Sequence, residues 1–215
     1  NTIVTLPELT SLNLSGCAVA EIDTLISLQK LKTLDLSNNT VSDLTALSAL
    51  QALKELHLTN NPITSLSNLK NCTELETLRA GQCAITRIAG LADHTKLKTL
   101  VLSGNQITDI SALNGKTKLM HLELDNNQIS DISPLSQCRS LERAFLKNNR
   151  ITSVEPLAKL TTLTSLYLQN NRITDVTPLA GLKNLKNLYL SGNSITDYSP
   201  LKYIYPQLIG KDFYV

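Results

Sequence analysis

Residues 119–140 read LMHLELDNNQISDISPLSQCRS, and the same arrangement recurs every 22 residues along the 215-residue chain. The frame is L-x-x-L-x-L-x-x-N-x-I-x-x-I-x-x-L-x-x-L-x-x, and it runs without insertion or deletion. The leucines that open the units are Leu9, Leu31, Leu53, Leu75, Leu97, Leu119, Leu141, Leu163 and Leu185. Nine units in one register predict a protein built by stacking one structural unit on the next.

Each unit combines two apolar patterns. Its L-x-L opening alternates apolar and polar residues, which is typical of a β-strand. The apolar residues that follow recur at every third position, which suits a short 3₁₀ turn. Because a single unit of this length cannot bury its apolar side chains, the pattern predicts stacked units with one parallel strand each, ~4.8 Å apart.

An asparagine follows the strand in most units. This column consists of Asn39, Asn61, Asn105, Asn127, Asn149, Asn171 and Asn193. An amide side chain offers both hydrogen-bond donors and an acceptor. Repeated at one position, it can satisfy the backbone groups that become free where the chain leaves the strand. We therefore interpret the column as a structural ladder and not as a ligand site.

The frame resembles that of the leucine-rich repeat family over residues 1–205. Its 22-residue unit is similar to the repeats of bacterial internalins and to those of a regulatory subunit of protein phosphatase 1. The resemblance implies an α/β, right-handed solenoid with a parallel β-sheet on the concave face and short 3₁₀ or irregular turns on the convex face. The domain would contain nine units from Leu9 and a partial unit before them, followed by a capping segment at residues 206–215.

The two ends of the chain depart from the frame. The first eight residues fit the end of an earlier unit, with Ile3 and Leu6 in apolar columns, so we expect a cap or a domain upstream. After Leu201 the frame gives way to an aromatic-rich sequence that we interpret as covering the last unit. The aromatic residues expected to pack there are Tyr203, Tyr205, Phe213 and Tyr214.

Composition and motifs exclude several functions. Lysine and arginine number 20 against 18 acidic residues, a balance that argues against nucleic-acid binding through bulk charge. No apolar run approaches the ~18 residues of a membrane span, so we expect no membrane insertion. The chain has no Gly-rich phosphate loop, nucleophile elbow or Ser/His/Asp arrangement, so we predict neither an enzyme nor a cofactor. The three histidines and four cysteines lack metal-ligand spacing, so no metal is expected.

The cysteines fall into two columns. Cys17 and Cys83 replace asparagine in the ladder, whereas Cys72 and Cys138 belong to an apolar column. Each pair is three units apart, ~14 Å along the sheet, and a disulfide requires Cα atoms within ~7 Å. We therefore expect four free and mostly buried thiols, which favours a reducing compartment.

Other polar residues receive structural interpretations. His94 and Lys116 lie in the same apolar column as Cys72, so we expect looser packing in the fourth and fifth units. An aspartate precedes the turn in several units and is interpreted as a capping residue and not as a calcium ligand. These aspartates are Asp43, Asp109, Asp131, Asp175 and Asp197.

The exposed strand positions change character along the chain. All eight aromatic residues lie after residue 144, although leucine fills the core columns in both halves. Phe145, Tyr167 and Tyr189 occupy the same outward-facing position in three consecutive units, so they should stack over ~10 Å of the concave face. The charged and polar residues predicted beside them are His121, Glu123, Asp125, Arg143, Lys147 and Gln169.

Aromatic residues next to arginine are typical of protein interfaces. We therefore predict a monomeric, non-enzymatic module that binds a protein partner on its concave face. The resemblance to internalins implies the recognition domain of a bacterial cell-surface protein, which the sequence of the C-terminal segment favours. The alternative is an intracellular regulatory or scaffold subunit like the phosphatase regulator, which the free thiols favour. The aromatic residues could instead stabilise the sheet or lie beneath another domain.

Overall fold

The computed structural model describes residues 6–215, so Ile3 of the partial first unit lies outside the described part. The chain forms one open, ten-stranded parallel sheet whose strands follow the order of the sequence. The strands are β1 (Ser11–Asn13), β2 (Thr33–Asp35), β3 (Glu55–His57), β4 (Thr77–Arg79), β5 (Thr99–Val101), β6 (His121–Glu123), β7 (Arg143–Phe145), β8 (Ser165–Tyr167), β9 (Asn187–Tyr189) and β10 (Gly210–Lys211).

Every strand of the nine units is followed by a 3₁₀ turn on the other side of the solenoid. The turns are Asp23–Ser27, Thr45–Ala49, Ser67–Leu69, Ala89–Leu91, Ser111–Leu113, Ser133–Gln137, Glu155–Leu157, Thr177–Gly181 and Ser199–Leu201, and a further turn spans Tyr205–Gln207. The apolar residues spaced three apart explain this choice, because a 3₁₀ turn places every third side chain on the same side. The predicted leucine-rich repeat solenoid is confirmed.

The pairing between neighbouring strands follows the 22-residue period of the sequence. Leu12 pairs with Leu34, which pairs with Leu56, and this 22-residue offset continues to β9. The leucine columns consequently point into one continuous core, and most of their side chains are fully buried. Since the intervening strand residues point the other way, the sheet presents a continuous concave face to solvent.

The last strand uses a different offset. Gly210 of β10 pairs with Asn187, so the closing unit has 23 residues and not 22. Phe213 is buried there, with its ring stacked on Tyr198 at 4.9 Å and edge-on to Tyr205 at 5.9 Å. The packing predicted for Tyr203 and Tyr214 is wrong, because these side chains are 80% and 89% exposed.

The asparagine ladder has the role predicted for it. The Oδ1 atom of Asn149 accepts a hydrogen bond from the Ile129 backbone N–H at 3.0 Å. Its Nδ2 group donates to the carbonyl of Leu146 in the same unit at 3.1 Å and to that of Leu124 in the preceding unit at 2.9 Å. The other asparagines of the column repeat these contacts. Cys83 takes over part of the role, with its Sγ atom donating to the Leu58 carbonyl at 3.5 Å.

The aspartates act as capping residues, as the sequence predicts. Asp131 Oδ1 accepts a hydrogen bond from the Ser133 N–H at 2.8 Å, at the first residue of the 3₁₀ turn. The same bond to the residue two positions later forms at Asp43, Asp109, Asp175 and Asp197. These side chains form Asx turns that stabilise the start of these five 3₁₀ turns.

All four cysteines are free, but their exposure differs from the prediction. Cys72 and Cys138 are buried, and burial raises the pKa of each thiol to about 11. Cys83 is half-buried and Cys17 is exposed, so the expectation of mostly buried thiols fails at Cys17.

His94 and Lys116 are polar residues in neighbouring units of the core. Both are almost completely buried, so the core covers them fully, and the looser packing expected there stays a prediction. Neither ring nitrogen of His94 has a hydrogen-bond partner among the described residues, and Lys116 Nζ donates to the Ala92 carbonyl. Burial, and then the neighbouring Lys116 charge, lower the pKa of His94; burial also lowers the pKa of Lys116 although Asp93 opposes this.

We expect Asn149→Ala to lower the free energy of unfolding by about 2–4 kcal/mol, because it leaves the buried Ile129 N–H without a partner and removes two further hydrogen bonds. Urea denaturation followed by circular dichroism measures the change. Asn71→Ala is the control, since exposed Asn71 makes a single 3.4 Å bond to the Ser48 carbonyl. Equal losses in the two variants would contradict the structural role of the ladder.

The buried imidazole predicts a pH dependence of stability. The unfolded chain protonates His94 near its ordinary pKa of ~6.5, whereas the folded chain does so only at lower pH. The unfolded state therefore binds more protons in acid, and stability falls as the pH drops below ~6.5. We expect the melting temperature of His94→Leu to fall less than that of the wild type between pH ~7 and ~5. If the melting temperatures of the wild type and of His94→Leu fall by the same amount over this pH range, the prediction is wrong.

Candidate functional site

The last position of strands β7, β8 and β9 carries the aromatic strip, which consists of Phe145, Tyr167 and Tyr189. The register pairs these residues directly. The ring centroids of Phe145 and Tyr167 are 4.6 Å apart with an interplanar angle of 13°, and those of Tyr167 and Tyr189 are 4.9 Å apart at 14°. The stacking predicted from the column is confirmed.

This geometry determines which parts of the rings a ligand can reach. Each ring covers a face of its neighbour, so the strip presents ring edges and the two phenol hydroxyls to solvent. At one end, the ring of His121 tilts against Phe145 with centroids 5.5 Å apart. At the other end, the Tyr189 side chain lies close to Gly210. A Cβ atom added to Gly210 would be 2.5 Å from the Tyr189 hydroxyl oxygen.

The acidic and basic residues predicted beside the strip meet as two internal pairs. Glu123 Oε1 lies 2.6 Å from His121 Nε2. Asp125 accepts a hydrogen bond from the Lys147 N–H at 2.8 Å, and its other oxygen lies 3.8 Å from Lys147 Nζ. Asp125 is only 8% exposed, and burial raises the pKa of its carboxyl group. Asp125 thus holds the Lys147 backbone in place and presents little surface of its own.

The other two predicted site residues, Arg143 and Gln169, differ in how far they are open to a partner. Arg143 is exposed, and no carboxylate among the described residues forms an ion pair with it. Gln169 is half-buried, and its Oε1 atom is buried without a hydrogen-bond partner in the described part of the chain. Arg143 therefore offers donors to a ligand, whereas the acceptor of Gln169 is closed off from solvent.

A recess beside the strip escaped the sequence analysis. It has a volume of about 330 Å³ and extends from the last residue of β4 to the first residues of β5, β6 and β7. We call it the arginine recess, and its lining residues are Arg79, Lys98, Thr99, Met120, His121, Glu142 and Arg143. The sequence could not show it by inspection of single columns, because Arg79 and Arg143 belong to different columns and lie three strands apart.

A larger recess of about 960 Å³ lies on the opposite side of the solenoid, between the turns Ser133–Gln137 and Glu155–Leu157. Its wall mixes Asp131 and Glu155 with Arg139 and Lys159. Because the aromatic anchors lie on the sheet, we place the candidate site on the concave face.

Within residues 6–215, no three His, Cys, Asp or Glu side chains are placed to bind a metal ion together. None of the helical segments in the same residues has the length and apolarity needed to cross a membrane.

The comparison with protein families identifies the architecture. A family model described as "Leucine Rich repeats (2 copies)" matches residues 7–49, 51–93, 95–137, 139–181 and 161–203. The chain therefore belongs to the leucine-rich repeat family. A sequence search among curated proteins finds no match.

Within that family, the chain resembles the internalins. It is 30% identical to an internalin (inlF) from Listeria monocytogenes, with a TM-score of 0.79, and the match covers 99% of this chain and 70% of the other. Internalin C2 from the same organism is 31% identical, with a TM-score of 0.71 and coverage of 97% and 83%. A Leptospira interrogans leucine-rich repeat protein is 25% identical, with a TM-score of 0.81 and coverage of 98% and 62%.

The close approach of Tyr189 to Gly210 predicts that Gly210→Ala displaces the last ring of the strip. The added methyl group would overlap both the Tyr189 hydroxyl and Asn187 Oδ1, at 2.5 and 2.6 Å. We expect shifts of the Tyr189 and Tyr167 ring signals in aromatic ¹H–¹³C NMR spectra. Gly181→Ala is the matched control, because nothing lies within 4 Å of its added Cβ atom. Unchanged ring signals in Gly210→Ala would show that this contact does not position Tyr189.

Proposed function

We propose that the protein is a non-enzymatic interaction module that binds a protein partner on its concave face. The observation that carries this proposal is the aromatic strip, since three stacked and partly exposed rings lie where five of the other six units carry polar residues and one carries Val101. The likeness to leucine-rich repeat proteins, which bind other proteins, supports the same function.

The contact surface would include the strip and its polar neighbours. Ring edges and phenol hydroxyls would provide the central contacts, with His121, Arg143, Lys147 and Gln169 around them. Glu123 and Asp125 would act mainly by holding His121 and Lys147 in place. Because the sheet fixes all these groups before the partner arrives, little conformational entropy would be lost on binding.

The likeness to internalins favours the recognition domain of a bacterial cell-surface protein that acts as a monomer. The identities of 30% and 31% and the high coverage support this assignment. The second candidate is an intracellular regulatory or scaffold subunit. The free thiols of Cys72 and Cys138 favour it, because unpaired cysteines are common in reducing compartments.

A purely structural role for the strip makes a different prediction. Cross-strand aromatic pairs stabilise a sheet by ~0.2–1 kcal/mol each. If this were their purpose, removal of a ring would lower stability and leave binding unchanged. If the strip is a binding site, removal of a ring would weaken binding far more than folding.

We expect Tyr167→Ala to weaken partner binding by ~2 kcal/mol or more, about 30-fold, because Tyr167 is the middle ring of the strip. Surface plasmon resonance with the captured partner measures the affinity, and thermal unfolding measures the stability. Tyr203→Ala is the control, since Tyr203 is exposed outside the strip. A stability loss as large as the binding loss would make the strip structural.

The partner itself is sought by affinity capture from a lysate of the source cell and from candidate host-cell surfaces. The wild type is compared with a variant in which Phe145, Tyr167 and Tyr189 are serine, and with a Tyr203→Ser, Tyr214→Ser control of matched melting temperature. A protein captured by the wild type and the control but lost with the strip variant supports the proposal. Its compartment decides between the two candidates, and identical captures with all three proteins would overturn the concave site.

A further inference from the structure

The arginine recess contains basic side chains of two kinds, those with an ion-pair partner and those without one among the described residues. Two of its four basic side chains already have acidic partners. Lys98 Nζ lies 2.6 Å from Glu76 Oε2, and His121 Nε2 lies 2.6 Å from Glu123 Oε1. These two groups are therefore held in place within the sheet and are not the primary contacts for an incoming charge.

Arg79 and Arg143 differ from them, because both are exposed and neither forms an ion pair with any residue in the described part of the chain. Arg79 ends β4 and Arg143 begins β7, three strands or ~14 Å apart, yet both side chains line the same recess. The carboxylate on this wall belongs to Glu142, so the arginines leave an excess of positive charge. A guanidinium matches the planar geometry of a carboxylate and binds it through two parallel hydrogen bonds.

The wall of the recess also has an apolar part. Met120 lies between the charged residues and is 40% exposed, which is unusual for a methionine on a polar sheet face. Its flexible thioether side chain adapts to the shape of a neighbouring apolar group. An occupant that matches both parts of the wall carries a negative charge on a short chain of methylene groups. A glutamate side chain has this structure, whereas inorganic phosphate lacks the methylene groups.

The recess is continuous with the aromatic strip. Arg143 and Phe145 lie two residues apart on β7 and point to the same face. His121 lines the recess, and its ring also contacts Phe145 with centroids 5.5 Å apart. One segment of a partner can therefore fill the recess and touch the strip at the same time. The ring edges of the strip carry partial positive charge, so they too favour electronegative groups.

We propose that the arginine recess binds a glutamate side chain from an acidic segment of the protein partner, with the carboxylate held by Arg79 and Arg143 and the methylene groups against Met120. This inference rests on the proposed function, because it assigns the partner to the concave face. It identifies the chemistry that the recess recognises, and it makes Arg79 a specificity-determining residue.

The test uses the probe acetyl-(Glu)₅-amide with uniformly ¹⁵N-labelled protein, so it requires no natural partner. Titration is followed at the Nε–Hε signals of Arg79 and Arg143 by NMR. We expect saturable shifts of both signals at millimolar peptide, which weaken as salt screens the charges. The isosteric peptide acetyl-(Gln)₅-amide should cause no such shifts.

Two variants with the same change of charge separate the recess from general attraction. Arg143→Gln should weaken binding of the glutamate peptide by about tenfold or more through loss of charge-assisted hydrogen bonds. Arg172→Gln removes an exposed arginine outside the concave face and should change binding little. Both residues are exposed, and equal melting temperatures would confirm that both variants fold.

Three results would overturn the proposal: no shift of the two arginine signals, equal shifts with the glutamine peptide, or equal losses in the two variants. Inorganic phosphate that binds as tightly as the glutamate peptide would also overturn it, because the recess would then be a general anion site. Each of these outcomes is independent of the capture experiment. Identical captures with all three proteins, together with an intact response of the arginines to the glutamate peptide, would contradict the proposed function alone.

Discussion

The fold depends on the hydrogen bonds that the asparagine ladder makes between consecutive units. Where the chain leaves each strand, its backbone groups no longer have partners in the sheet, and an unpaired buried group is costly. Each ladder amide satisfies groups in its own unit and in the one before. The carbonyl of Leu124, for instance, accepts from Asn127 of its own unit at 3.0 Å and from Asn149 of the next at 2.9 Å. The units are thereby held at one spacing along the whole sheet.

That spacing is also the physical basis of the candidate site. Residues at one position of the repeat must lie side by side on neighbouring strands. The distance between these strands is close to the distance between the centroids of two stacked aromatic rings. Phe145, Tyr167 and Tyr189 consequently form an ordered surface with little freedom to rearrange. The same rigidity brings Arg79 and Arg143 into one recess although they come from units that are not neighbours. A partner therefore meets a surface whose shape is set by the core leucines beneath it.

The sequence predicts those features that depend on a single column. The period, the ladder and the stacking of the strip follow from residues that recur every 22 positions. In a solenoid, the repeat alone determines which residues of consecutive units lie next to each other. Features that cross columns or break the period were not predictable in this way. The recess joins side chains from different columns, and β10 follows an offset of 23 residues. The closure of the core around His94 and Lys116 depends on side-chain conformations, which the pattern does not specify.

The two buried polar residues His94 and Lys116 have a mechanical consequence for the molecule. In a linear stack each unit contacts only its neighbours, so tension applied to the two ends passes through every boundary in turn. The boundary between the fourth and fifth units contains an imidazole with no hydrogen-bond partner in residues 6–215 and a buried lysine side chain. Because burial of polar groups without full hydrogen bonding costs free energy, we expect this boundary to separate more easily than the others. The arginine recess spans that boundary, with Arg79 on one side and Arg143 on the other. Stretching of the solenoid would therefore draw the two arginines apart, so tension would weaken the binding of the proposed glutamate side chain.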